Sequence, residues 1–233
     1  MDETRESLLR EKGFGFFGAM TASLSHEINN VYAIINELSG LLGDFCYAAE
    51  QGSPLDVERL KGTSQRIGAQ VERGQEYVKR LNRFAHTVDD GQATVVLNET
   101  VDAIATLCRR LAKLRRVEIE VQLPEESPTL QGSAFDLQHI VFRCIDIVMD
   151  ASAEGDVIGI GVEPNGDGVR LVFAGRSELE TEAALESKKD FLTVLVSEVG
   201  GGVEPQIEVG RPVRLEVSLP HRLSSPPAVS PQS

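Results

Sequence analysis

The chain has 233 residues, 41% of them hydrophobic, with 36 acidic against 23 basic side chains and a formal charge of −13. That length and apolar share suffice for one large or two modest packed domains, and the acidic excess argues against nucleic acid or an anionic membrane as the main partner, because phosphate backbones are bound through a surplus of Lys and Arg. No apolar run approaches the roughly 18 to 20 residues needed to cross a bilayer. The N-terminal MDETRESLLREK is too charged for a signal peptide. The expected setting is the cytoplasm, with a protein or small ligand as partner.

In chain order, residues 1–12 alternate charges with Leu8 and Leu9 and read as a helical lead-in. Gly13, Gly15 and Gly18 interrupt it, so the firm helix is expected from near Phe16 to about Glu50. Within it Phe17, Leu24, Ile28, Val31, Ile35, Leu38, Leu42 and Phe45 recur at steps of three and four, with Thr21 breaking the series, as in a helix seam. Gly52 and Pro54 stop this helix, and Ser53 or Asp56 can cap the next. The second helix, about Leu55 to His86, places Leu60, Ile67, Val71, Val78, Leu81, Ala85 and Val88 on its seam. Two long helices and a short turn make an antiparallel hairpin. A lone hairpin leaves so wide an apolar stripe uncovered, which predicts a homodimer whose two hairpins form a four-helix bundle.

Residues 87–95, with Asp89, Asp90 and Gly91, read as a polar joint. Beyond it the expected elements are a helix capped by Asn98 and ending near Leu114, a strand over 117–123, a short strand around Leu130 and an apolar helix from Ser133 to Ala151. A hairpin of strands 157–162 and 169–173 follows across PNGDG. A helix of about 188–199 and two strands near 203–209 and 213–219 complete a mixed sheet covered on one face by helices. The predicted class is therefore α+β: a helical hairpin over 1–90, an α/β sandwich over 91–222, and a disordered Pro- and Ser-rich tail over 223–233. Cys46, Cys108 and Cys144 are odd in number and widely spaced, and read as small buried residues rather than a redox or metal site.

With Leu24 and Ile28 on the seam, His26 falls on the solvent side, followed by Glu27 and, one turn on, Asn30. A water-facing His beside a carboxylate is poised for reversible chemistry. The turn centre near Ser53 lies 27 residues after His26. By that count the second helix returns to its height near Arg80, and Lys79, Arg80 and Arg83 are candidates to steer an acidic partner or a phosphoryl group. Asn29 and Ala33, on the same stretch of the first helix, are further candidates for partner contact. His86, His139 and His221 have no comparable context and read as structural or incidental.

The motif SLSHEINN on a hairpin, followed by an α/β domain, resembles bacterial two-component histidine kinases over residues 14–220. The resemblance implies that His26 is the phosphorylated residue and that Glu27 and Asn30 assist it; Val31 replaces the usual Pro. It also implies that GSAFDLQHIVFRCIDIVMDAS is the counterpart of the nucleotide-binding helix. Three of the family's nucleotide motifs depart from the pattern. Arg143 and Ile147 stand where Asn is expected, Ala174 stands where the adenine-reading Asp is expected, and SELETEAALESK contains no Gly for a phosphate-cradling lid. The chain is thus similar to dimeric histidine phosphotransferases of the ChpT type, with a degenerate ATPase-like domain. That similarity implies relay of a phosphoryl group through His26 to or from a response-regulator aspartate, without ATP. It also implies no cofactor of the protein's own, Mg²⁺ coming with the partner receiver, and it admits an upstream histidine kinase as donor. The competing readings are an ATP-dependent histidine kinase and a non-catalytic scaffold or inhibitor.

Overall fold

The computed structural model describes residues 2–88, 91–166, 168–178 and 185–224. Asp89 and Asp90 of the expected joint, Asp167 of the expected turn, residues 179–184 of the Gly-free stretch and the tail from Ser225 lie outside them. The chain divides into two compact units, residues 18–85 and residues 1–17 together with 86–233.

The hairpin unit consists of α1 (Asp2–Glu50) from Gly18 onward and α2 (Val57–His86) to Ala85. Its turn is closed by backbone geometry. Gly52 takes φ +88°, a left-handed conformation that Gly adopts without the strain a side chain brings. The N–H of Ser53 then donates to Ala48 O and that of Gly52 to Ala49 O, the two bonds of a Schellman stop. Of the two expected caps, Asp56 serves: Oδ1 accepts from the N–H groups of Glu58 and Arg59, each at 3.1 Å. Leu24, Val31 and Leu38, seven residues apart, are buried. Gly74 lets the helices approach, since a Cβ there would lie 3.2 Å from Val31 Cγ1. Val71 and Val78 of the expected second seam remain exposed.

The other unit is an α/β sandwich. After α2 come β1 (Ala93–Val96), α3 (Leu97–Leu114), β2 (Glu118–Gln122), β3 (Thr129–Gly132), α4 (Ala134–Ala151), β4 (Val157–Asn165), β5 (Gly168–Glu178), α5 (Glu186–Glu198), β6 (Gly202–Gln206) and β7 (Pro212–Pro220). The five-stranded sheet runs β2-β4-β5-β7-β6, with β2 parallel to β4 and the remaining pairs antiparallel. Alternation sets its faces. Ile158 and Ile160 of β4, Leu171 and Phe173 of β5, and Leu215 and Val217 of β7 are buried toward α3, α4 and α5. The opposite face is polar: Arg170 and Arg214 both pair with Glu216, Arg176 pairs with Glu120, and Asn165 donates to Ser218. α4 is the central helix, with Leu137, Ile140, Val141, Cys144, Ile145, Ile147 and Val148 buried and Ser133 Oγ capping its first turn. A hairpin followed by an α/β sandwich is the architecture expected from the sequence.

Several local expectations need correction. α1 does not start near Phe16; it is helical from Asp2. Each Gly in a helix interior costs about 1 kcal/mol, but tertiary contacts offset this. Phe16 is fully buried against Phe135, Phe142 and His139, and Arg5 pairs with Glu198 at 2.6 Å. Asn98 does not cap α3. The cap position is Val96, and the Asn98 amide instead donates to Pro124 O at 2.8 Å. The polar joint ends sooner than expected, because Ala93–Val96 pairs antiparallel with β3. Cys46 is exposed, whereas Cys108 and Cys144 are buried; burial pushes both of those thiols well up. Among the described residues no helix is long and apolar enough to cross a membrane.

Candidate functional site

His26 lies mid-way along α1, in the first third of its hairpin segment, and is exposed, as are Asn29, Asn30 and Ala33 on the same helix. Among the described residues no hydrogen bond or ion pair is made to the His26 side chain, which leaves both ring nitrogens available. Glu27 differs. Its side chain is 24% exposed and is held from α2. The Tyr77 hydroxyl donates to Glu27 Oε2 at 3.1 Å, and Arg73 Nη2 approaches the same oxygen at 3.5 Å. Arg73 also donates to the Tyr77 oxygen, through Nη2 at 3.1 Å and Nε at 3.3 Å, with its guanidinium 5.5 Å from the ring centroid. The bond to Tyr77 and, less strongly, the Glu27 charge raise the Arg73 pKa further above neutrality. Arg73 is thus a fixed cation in this trio.

Of the sequence-selected residues, Glu27 is the one that the structure ties to the second helix. Arg80 Nε pairs with Glu76 on its own helix at 3.3 Å, and Arg83 is exposed. Arg73 and Tyr77 escaped the sequence reading, which counted heights from Ser53. A signal was nonetheless available: Arg73 and Tyr77 are four apart on one helix face, and Tyr77 is the one aromatic residue in the charged stretch VERGQEYVKR. Counting from Gly52, where the turn reverses, places Tyr77 at the height of Glu27.

The second unit contains the positions that the resemblance compared with a nucleotide site. Ile147 is fully buried. Arg143 donates from Nε to His139 Nε2 at 3.0 Å and from Nη2 to Lys12 O at 3.1 Å, with its guanidinium over the rings of Phe142 and Phe191. His139 is 2% exposed and stacked on Phe16 at 4.8 Å; burial and the neighbouring Arg143 push its pKa down to about 3. It is therefore neutral and accepts the Arg143 bond. On the same helix Asp146 pairs with Arg115 at 3.3 Å and Lys188 at 2.6 Å.

Ala174 lies inside β5, opposite Gly159 and Arg214, and the strand continues past the expected end at Phe173 to Glu178. A register shift between Ala174 and Glu178 removes ladder partners from the intervening N–H groups. Asp156, 6% exposed, supplies two of them with an acceptor: its carboxylate accepts from Arg176 N at 3.1 Å and Ser177 N at 3.0 Å, and also from its neighbour Val157 N at 2.7 Å. Burial alone would raise the Asp156 pKa, but these donors hold it below the ordinary carboxylate range. Among the described residues no group of three or more His, Cys, Asp and Glu side chains could hold a metal ion.

No family model matches the sequence, and no curated protein matches it. Solved structures of several histidine kinases are similar to it. Acinetobacter baumannii histidine kinase AdeS is 13% identical over 82% of this chain and 97% of its own, with a TM-score of 0.47. A histidine kinase from Burkholderia phymatum is 12% identical over 84% of this chain and 98% of its own, with a TM-score of 0.47. Full-length ShkA, solved in complex with AMPPNP, is 16% identical over 87% of this chain and 46% of its own, with a TM-score of 0.49.

Proposed function

We propose that this chain is a histidine phosphotransferase that carries a phosphoryl group on His26 and exchanges it with an aspartate of a response-regulator receiver domain. The observation that carries the reading is on α1. The helix exposes His26, free of other bonds among the described residues, next in sequence to a carboxylate that the second helix holds in place. A neutral imidazole is a nucleophile near pH 7 and forms a phosphoramidate of high transfer potential. His26 Nε2 attacks the phosphorus of the receiver's acyl phosphate. The P–N bond forms as the P–O bond breaks, and the aspartate leaves as a carboxylate. Glu27 accepts the Nδ1–H hydrogen bond and offsets the positive charge that develops on the ring. Asn30, one turn on, orients these groups. Mg²⁺ comes with the receiver's acidic pocket.

Asn29, Ala33, Arg80 and Arg83 form the receiver-facing surface, and two chains pair through the apolar stripe of the hairpin. The setting is the cytoplasm, and a histidine kinase upstream is the source of phosphoryl groups for the receiver that feeds this chain. Two features support the absence of ATP chemistry. Arg143 is committed to His139 and Lys12 O, and Asp156 occupies the N–H groups of residues 176 and 177, close to where the family's adenine-reading turn is expected.

The test is incubation of the full chain and of His26→Ala with Mg²⁺ and γ-labelled ATP, and separately with a panel of labelled phosphoreceivers. The expected result is no label from ATP and His26-dependent label from a receiver. Label on His26 from ATP would establish the kinase reading instead. Receiver binding with no transfer would establish a scaffold.

A further inference from the structure

The trio on the hairpin does more than tether a surface carboxylate. Adjacent residues on a helix point about 100° apart and do not face each other, so an unrestrained Glu27 would spread over rotamers that mostly miss His26. Glu27 is instead restrained at one oxygen. Oε2 takes the Tyr77 hydroxyl and faces the Arg73 guanidinium, while Oε1 has no partner among the described residues. Tyr77 is in turn braced by two bonds from Arg73. Such a braced, charge-assisted hydrogen bond fixes a carboxylate better than an isolated ion pair at 3.5 Å can.

We propose that Tyr77, backed by Arg73, is a positioning residue: it holds Glu27 by Oε2 and leaves Oε1 to take Nδ1–H of His26 when the ring turns toward it, a bond the side chains do not make as they stand, selecting the tautomer whose Nε2 is free to attack phosphorus. The proposal rests on the phosphotransfer reading of His26. Tyr77 never touches the reacting atoms; it acts through Glu27, and that dependence is measurable. Which nitrogen of a His carries the proton is set by the hydrogen bond that the other makes, so loss of the brace shows first in the tautomer and then in the rate.

The experiment uses the full chain and potassium phosphoramidate, which needs no partner: its P–N bond breaks, ammonia leaves, and a new P–N bond forms at His26 Nε2. Tyr77→Phe is expected to slow labelling about five- to tenfold, within the net effect of one ordinary hydrogen bond, because Tyr77 acts only through Glu27. In a Glu27→Ala background the same substitution is expected to change the rate by no more than about twofold, because the residue through which Tyr77 acts is gone. The ¹⁵N spectrum of His26 is expected to lose Nδ1–H tautomer in Tyr77→Phe while the circular dichroism spectrum stays the same. An unchanged rate and tautomer in Tyr77→Phe would overturn the proposal. So would an equal loss in both backgrounds, or faster labelling, which would make the trio a restraint on Glu27. If the wild-type chain takes no label at all, the phosphotransfer reading falls, and the tautomer measurement still decides the role of Tyr77.

Discussion

His26 and His139 each stand on a long helix, one in each unit, and their surroundings give them opposite chemistry. His26 is exposed and makes no hydrogen bond among the described residues. His139 is stacked on Phe16, accepts the Arg143 bond and is held neutral down to a pH of about 3. The hairpin exposes polar groups that a partner can reach and commits few of them. The sandwich commits its buried and half-buried ones: Asp156 to three N–H groups, Asp146 to Arg115 and Lys188, and Arg143 to Lys12 O. A nucleophile needs access and an unspent lone pair, and the first unit offers both. In the second, these donors and acceptors hold the fold.

The contrast can be broken most directly by exchanging the fates of the two histidines. His26→Ala is expected to abolish phosphoryl uptake while shifting stability by no more than about 0.5 kcal/mol, as for an exposed residue. His139→Gln, which retains an acceptor for Arg143, is expected to leave labelling in place. Parallel labelling and urea-unfolding measurements check both.

A smaller but still large effect is expected at the ring cluster. Phe16→Ala empties a fully buried site and is expected to destabilise the sandwich by about 3–5 kcal/mol, read from the urea midpoint of that unit by circular dichroism. A loss below about 1 kcal/mol would mean that the first turns of α1 are not part of its core.

The buried His139 also sharpens the comparison through pH. Unfolded, it takes up a proton below about pH 6.5; folded, it stays neutral until about pH 3. Between those values the unfolded state holds more protons, so stability falls as pH drops, by about 1.4 kcal/mol per pH unit. From this group the loss at pH 5 is about 2 kcal/mol. His139→Gln is expected to flatten the pH 7 to 5 stability profile by that amount. The smallest effect belongs to the hairpin turn, where Asp56→Ala is expected to cost about 1 kcal/mol by removing the α2 cap. The hairpin unfolding transition measures it.

Much of this architecture was legible because it rests on short-range pattern. The steps of three and four from Leu24 to Leu38, Gly52 with Asp56 at the turn, and the alternation of VEIEVQL and VRLEVSL each carry their own geometry. What stayed hidden depends on partners distant in sequence. β1 is four residues long and exists by pairing with β3. α1 runs through Gly13 and Gly15 because Phe16 is packed against α4, and β5 runs past Phe173 because Asp156 satisfies its shifted register. At the candidate site, the exposure of His26 followed from its place off the seam. The Tyr77 contact did not, because an error of three residues in interhelix height rotates α2 by most of a turn.

The central claim is that His26 is the phosphoryl carrier. The measurement closest to it is peptide mapping by mass spectrometry of the full chain after brief exposure to a panel of phosphorylated receiver domains. The expected result is one added phosphoryl group on the peptide containing His26, labile in acid, stable in alkali and absent from His26→Ala. A phosphoryl group that maps to another residue, or that persists undiminished in His26→Ala, would contradict it.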